Sequence, residues 1–91
     1  MKFEYDPNKS EKNKAKHGID FEEAQALWND ERLLIFPLMY EAEPRKACIG
    51  KLFGKHWTAI ITCRGESVRL ISVRRARHDE VDAYENDEIG Y

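Results

Sequence analysis

Residues 45–75, RKACIGKLFGKHWTAIITCRGESVRLISVRR, decide the fold. Three runs rich in β-branched and aromatic residues, RKACIGKLF at 45–53, HWTAIITC at 56–63 and SVRLISVR at 67–74, are separated by Phe53-Gly54-Lys55 and Arg64-Gly65-Glu66. Short glycine-bearing connections between such runs are the pattern of antiparallel hairpins, so the segment reads as a meander. Upstream, LLIF at 33–36 is a further strand candidate, followed by a loop that holds Pro37 and Pro44.

Working toward the N-terminus, Asp20 and Glu23 have the spacing of a capping box, and Phe21, Ala24, Leu27 and Trp28 fall on one helical stripe that should face a core. An earlier helix is expected from Asn8 to His17, entered through Asp6-Pro7 and closed by Gly18. Its only apolar residue is Ala15, so it has almost no core face and should be held loosely or by a partner. Phe3 and Tyr5 alternate with Glu4 as a short first strand. Toward the C-terminus a last helix is expected over roughly Arg77 to Glu85, with Val81 and Tyr84 on one side, and residues 86–91 should fray. The expected order is β-α-α-β-β-β-α, an α+β domain with an antiparallel sheet and its helices packed on one face.

The chain has 91 residues, enough for one domain and one core, and 1–91 is read as a single unit. It is 42% hydrophobic and 35% charged, too apolar for a disordered chain. No apolar run is long enough to span a membrane and the N-terminus lacks a secretory core, which points to the cytoplasm. Cys48 and Cys63 form no metal-binding or disulfide pattern and are expected to be core residues in neighbouring strands. Glycine-rich phosphate loops, GxSxG and HExxH are absent, which sets aside nucleotide-cofactor, serine-hydrolase and zinc-protease chemistry, and no cofactor is expected.

A formal net charge of −2 hides a segregated chain: residues 1–44 carry 6 basic and 10 acidic side chains, residues 45–78 carry 9 and 1, and residues 79–91 carry 0 and 6. A polyanion such as nucleic acid suits the central segment; the alternative is a solvated sheet face paired with the acidic ends. Arg69, Arg74, Arg75 and Arg77 lie within nine residues, and arginine suits bidentate phosphate contact. Strict alternation would put Arg69 and Arg75 on one face and Arg74 on the other. Lys9, Lys12 and Lys16 share a helix face, and His17 is a proton donor or acceptor near neutral pH.

The segment FEYDPNKSEKNKAKHGIDFEEAQALWND, then ERLLIF, Glu43 and Arg45 before IG, TCRGE and ISVRRARHDEVDAYE resemble the BrnT family of bacterial type II toxins, in the same order over about nine-tenths of the chain. That resemblance implies a RelE-like fold and a metal-free ribonuclease that cleaves RNA, on or off the ribosome, and shuts down translation. It also implies a cognate ribbon-helix-helix (BrnA-type) antitoxin that neutralises the toxin and alone contacts operator DNA. Metal-free cleavage needs a base for the 2′-hydroxyl, cations for the phosphorane and an acid for the leaving oxygen. On that basis Arg45, Arg74 and Arg75 are assigned transition-state stabilisation, Lys16 and His17 acid/base roles, and Lys9, Lys12, Arg64, Arg69 and Arg77 RNA binding. A non-catalytic RNA- or partner-binding module, or a purely structural subunit, would fit the same composition without cleavage.

Overall fold

The computed structural model describes residues 1–39 and 43–86. The elements are β1 (Lys2–Glu4), α1 (Pro7–His17), α2 (Phe21–Ala24) running into a 3-10 turn (Gln25–Asn29), β2 (Leu34–Leu38), β3 (Arg45–Leu52), β4 (Lys55–Arg64), β5 (Ser67–Arg75) and α3 (His78–Glu85). The five strands form one sheet in the order β1-β5-β4-β3-β2. The meander β3-β4-β5 is antiparallel, and LLIF supplies a fourth antiparallel strand, β2, which extends the expected order by one. β1 pairs with β5 in parallel, so the sheet is mixed. The parallel pairing follows from connectivity: β1 and β5 are joined through the whole chain rather than by a hairpin, so nothing forces them to run oppositely.

Local chemistry explains the helix limits. Asp6 caps α1 by accepting from the Asn8 N–H at 2.8 Å, Pro7 takes the first position, and Gly18 closes the helix in the left-handed region at φ 83°. Asp20 and Glu23 form the reciprocal capping box at 2.7 and 3.0 Å. The stripe from α2 and its 3-10 extension packs as expected: Phe21, Ala24 and Leu27 are buried, Trp28 is half-buried against Phe3, and Tyr5 meets Phe21 edge-on. These side chains join Ile19 and the inward residues Cys48, Trp57, Ala59, Ile61, Leu70 and Val73 in one core.

Three expectations are corrected. The helices do not all pack on one face. α2 covers the face that carries Ala59 and Val73, whereas α3 sits on the opposite face, where Glu80 reaches Thr58 and Arg74. Helix α1 is not loosely held; its inward residues are Ser10 and Asn13, and it docks by hydrogen bonds instead of apolar contact. Cys48 is buried, with its thiol pushed up to about 12 by burial, but Cys63 is exposed near the end of β4. The expected frayed tail lies, from residue 87 on, outside the described residues.

Candidate nucleic-acid interface

Alternation along β5 is broken. The register with β4 pairs Ile61 with Leu70 but Ile60 with Ser72, leaving Ile71 as an extra residue, a β-bulge. The bulge resets the phase of the strand. Leu70, Val73 and Arg75 therefore share the core face with Ile61, Ala59 and Trp57, while Arg69, Ser72 and Arg74 share the opposite face with Thr62, Ile60 and Thr58. Strict alternation had separated Arg69 from Arg74; the bulge unites them. The same face receives Ala47 and Ile49 from β3 and Leu34, Phe36 and Leu38 from β2, with Arg45 opposite Leu38. Arg45, Arg69 and Arg74 thus project from one side of the sheet, and Arg75 from the other.

Helix α3 covers half of that side. The Arg74 guanidinium makes a two-pronged contact with Glu80, at 2.7 and 2.9 Å, and the Thr58 hydroxyl and the Arg77 N–H both donate to Glu80 Oε1. Burial raises the Glu80 carboxyl, but the hydrogen bonds from Arg74, Arg77 and Thr58 outweigh it and hold the group down at about 2. Arg74 is therefore committed to anchoring α3. Among the described residues no helix lies over the other half, where Phe36, Ile60, Ser72, Arg45 and Arg69 are half-buried and Ala47 and Thr62 are buried, the Thr62 hydroxyl donating to the Pro44 carbonyl at 2.8 Å. Glu4 lies 3.5 Å from Arg69 and 3.9 Å from Arg64, and Glu43 lies 3.8 Å from Arg45, pairs exposed enough to be weak.

The edge of this face is formed by α1. Strand β1 pairs only with residues 67–69 of β5, so the later backbone of β5 would present an open edge. Asn13 closes it. Its side-chain amide donates to the Val73 carbonyl at 2.8 Å and accepts from the Val73 N–H at 3.1 Å, doing the work of a strand residue, and donates to the Ile19 carbonyl at 2.8 Å. The Ser10 hydroxyl accepts from the Phe21 N–H at 2.9 Å, which turns that flank of α1 toward α2. Lys9, Lys12 and Lys16 lie roughly 100–160° round the axis from Ser10 and span about 10 Å along it. They form an exposed stripe that follows the β5 edge on the flank away from α2. Lys16 and the half-buried His17 sit one turn beyond Asn13, toward the Arg75 end of the strand. Arg75 is exposed with its guanidinium 5.6 Å from the Trp57 ring centre, and Arg77 is exposed at the N-cap of α3.

A second polar cluster has no counterpart among the residues singled out in the sequence. Asp30 accepts from the Tyr84 hydroxyl at 2.6 Å and from the N–H groups of Lys51 and Arg32, both at 2.9 Å. Burial raises Asp30, yet these donors bring it below its usual range, while burial and the same bond push Tyr84 up to about 12. His56 meets Glu85 and packs edge-on against Tyr84. Asp30 and Tyr84 are 54 residues apart, and only Val81 with Tyr84 on one helix side hinted that Tyr84 turns inward.

Residues 5–80 match the sequence model of a family described as ribonuclease toxin, BrnT, of type II toxin-antitoxin system. No curated protein matches the chain.

Proposed function

Because the chain belongs to the BrnT family of ribonuclease toxins of type II toxin-antitoxin systems, we propose that it cuts RNA without a metal ion, along the open half of the sheet between the arginine side chains and the lysine stripe of α1. The observation that carries this reading is the bulge at Ile71. It turns Arg69 to the side that holds Arg45, on a strand whose edge passes from β1 at Arg69 to α1 at Val73, the helix that carries Lys9, Lys12 and Lys16. A single strand lying there would meet cations from both sides, and fixed guanidinium groups stabilise the charge that builds on the phosphorane.

In this reading Arg45 and Arg69 hold phosphates, and Arg75 acts at the strand end. Lys16 and His17 exchange protons with the 2′-hydroxyl and the leaving 5′-oxygen, and Lys9, Lys12, Arg64 and Arg77 extend the electrostatic footprint. Arg74 acts through α3 as a positioning residue, since its guanidinium is engaged with Glu80. The wider proposal is a RelE-like toxin of the cytoplasm that lowers translation and is neutralised by a ribbon-helix-helix antitoxin. A type II toxin has an antitoxin partner in any case.

The test is a cleavage assay on end-labelled RNA in EDTA. Wild type is expected to cut, and Arg69→Ala with Arg45→Lys to lower kcat/KM at least tenfold. Binding without cutting would favour an RNA-holding module, and cutting that stops in EDTA would refute the metal-free mechanism.

A further inference from the structure

The β3–β4 hairpin carries a local conflict that neither folding nor the proposed cleavage site explains. Leu52 pairs with Lys55, so the turn is the two residues Phe53 and Gly54, with φ of 56° and 72°. Two positive φ angles mark a type I′ turn, whose first position favours Asn, Asp or Gly. Phenylalanine there is strained, because its Cβ crowds the backbone in the left-handed region. The ring gains little in return, since Phe53 is 66% exposed. The fold thus accepts backbone strain and an exposed apolar ring at the same residue.

The surroundings suit a nucleotide. Phe53 borders a shallow depression of about 570 Å³, whose wall includes Arg32, Lys51 and Tyr84. Of the two carboxylates in that wall, Asp30 is engaged by three donors, while Glu31 is exposed beside Arg32, so the cations gathered round the ring are Arg32, Lys51 and, on the hairpin, Lys55. Lys51 and Lys55 flank the ring on the hairpin, are exposed, and neither side chain makes an ion pair among the described residues. An exposed ring between two cations is the arrangement on which single-stranded bases stack while the phosphates are neutralised.

We infer that this hairpin is a second RNA contact, on the far side of α3 from the arginine face, where a base stacks on Phe53 and its phosphate meets Lys51 or Lys55. The inference rests on the ribonuclease reading and extends it to how RNA is gripped away from the cut. The turn itself is insensitive to loss of the ring, because glycine adopts φ 56° without strain. Phe53→Gly should therefore melt at or above the wild-type temperature.

The experiment measures binding of the full chain to a fluorescein-labelled, mixed-sequence single-stranded RNA with 2′-O-methyl groups, which cannot be cut through the 2′-oxygen. Cleavage of the unblocked RNA is followed in parallel. Phe53→Gly is expected to weaken binding about 5- to 100-fold and to raise KM with kcat at saturation unchanged, whereas Phe53→Tyr restores both. Lys51→Gln is expected to lower the salt slope of log K by about 0.7. Millimolar UMP should not displace the oligonucleotide; displacement would mark a free-nucleotide pocket and overturn the RNA assignment. Phe53→Gly that binds and cuts as wild type overturns the inference while leaving the ribonuclease standing. The same result with a lost hold on the antitoxin assigns the ring to a protein partner and also overturns it. A wild type that neither binds nor cuts RNA removes both readings.

Discussion

Replacing Asn13 by alanine should cost the protein a large share of its stability. Asn13 is only 7% exposed, and its amide makes three hydrogen bonds, two to the Val73 backbone and one to the Ile19 carbonyl. Each is worth about 1 kcal/mol net, and the Val73 N–H, stranded in a residue with no exposed surface, adds about 1–2 kcal/mol more. The loss should be about 3–5 kcal/mol, against a total of about 5–14 kcal/mol for a chain of this size. Urea unfolding followed by the fluorescence of Trp28 and Trp57 reads this directly. With m near 1–2 kcal/mol/M, the midpoint should fall by about 1.5–5 M at unchanged m. Lys12→Ala, one residue away and exposed, should stay within about 0.5 kcal/mol of wild type. A midpoint for Asn13→Ala within about 0.5 M of wild type would refute the claim that a polar clamp, rather than apolar packing, docks α1 on β5.

Other changes probe other parts of the account. Glu80 is held at about 2 against an ordinary value of 4.5, so its charged form stabilises the fold fully above about pH 4.5, and that gain is lost as pH falls through 2. Glu80→Gln should remove about 3 kcal/mol at pH 7 and flatten the acid limb of a stability–pH curve; an unchanged limb would place the acid sensitivity elsewhere. At Gly50 an added Cβ would stand 2.8 Å from Leu33 Cδ1 and 3.2 Å from Leu27 Cδ2. Gly50→Ala should therefore destabilise by about 1–3 kcal/mol in thermal melts, and a neutral result would mean that both leucines shift freely. Tyr84→Phe, which removes one of the three donors to the Asp30 carboxylate, should cost about 1.5–3 kcal/mol by the same melts, and no cost would show that water replaces the hydroxyl.

Much of the fold was legible because it rests on local rules. Glycine turns marked the hairpins, Asp6, Pro7 and Gly18 bounded α1, and the Asp20–Glu23 pair marked the start of α2. What escaped depended on contacts distant in sequence. Asn13 looks like any polar helix residue until Val73, sixty residues on, presents an unpaired edge. The bulge at Ile71 has no glycine or proline to announce it in LISVRR, yet it decides which arginines share a face. For Arg74 the sequence leaves open phosphate contact and an ion pair with Glu80, Asp79 or the acidic end; Glu80 is six residues along, and the packing of α3 across the sheet brings it into contact. The lysine stripe fared better, since helical spacing alone puts Lys9, Lys12 and Lys16 on one exposed side.

The central claim is that this chain cleaves RNA with proton transfer at the C-terminal end of α1. Mapping RNA 5′ ends in cells a few minutes after induction, with wild type beside a Lys16→Ala, His17→Ala double variant, tests it most directly. Both positions lie outside the core, so the variant should fold. The account predicts new 5′ ends and arrested growth with wild type and neither with the variant. The same new ends in both would contradict the assigned site, and arrested growth over intact RNA would contradict the ribonuclease itself.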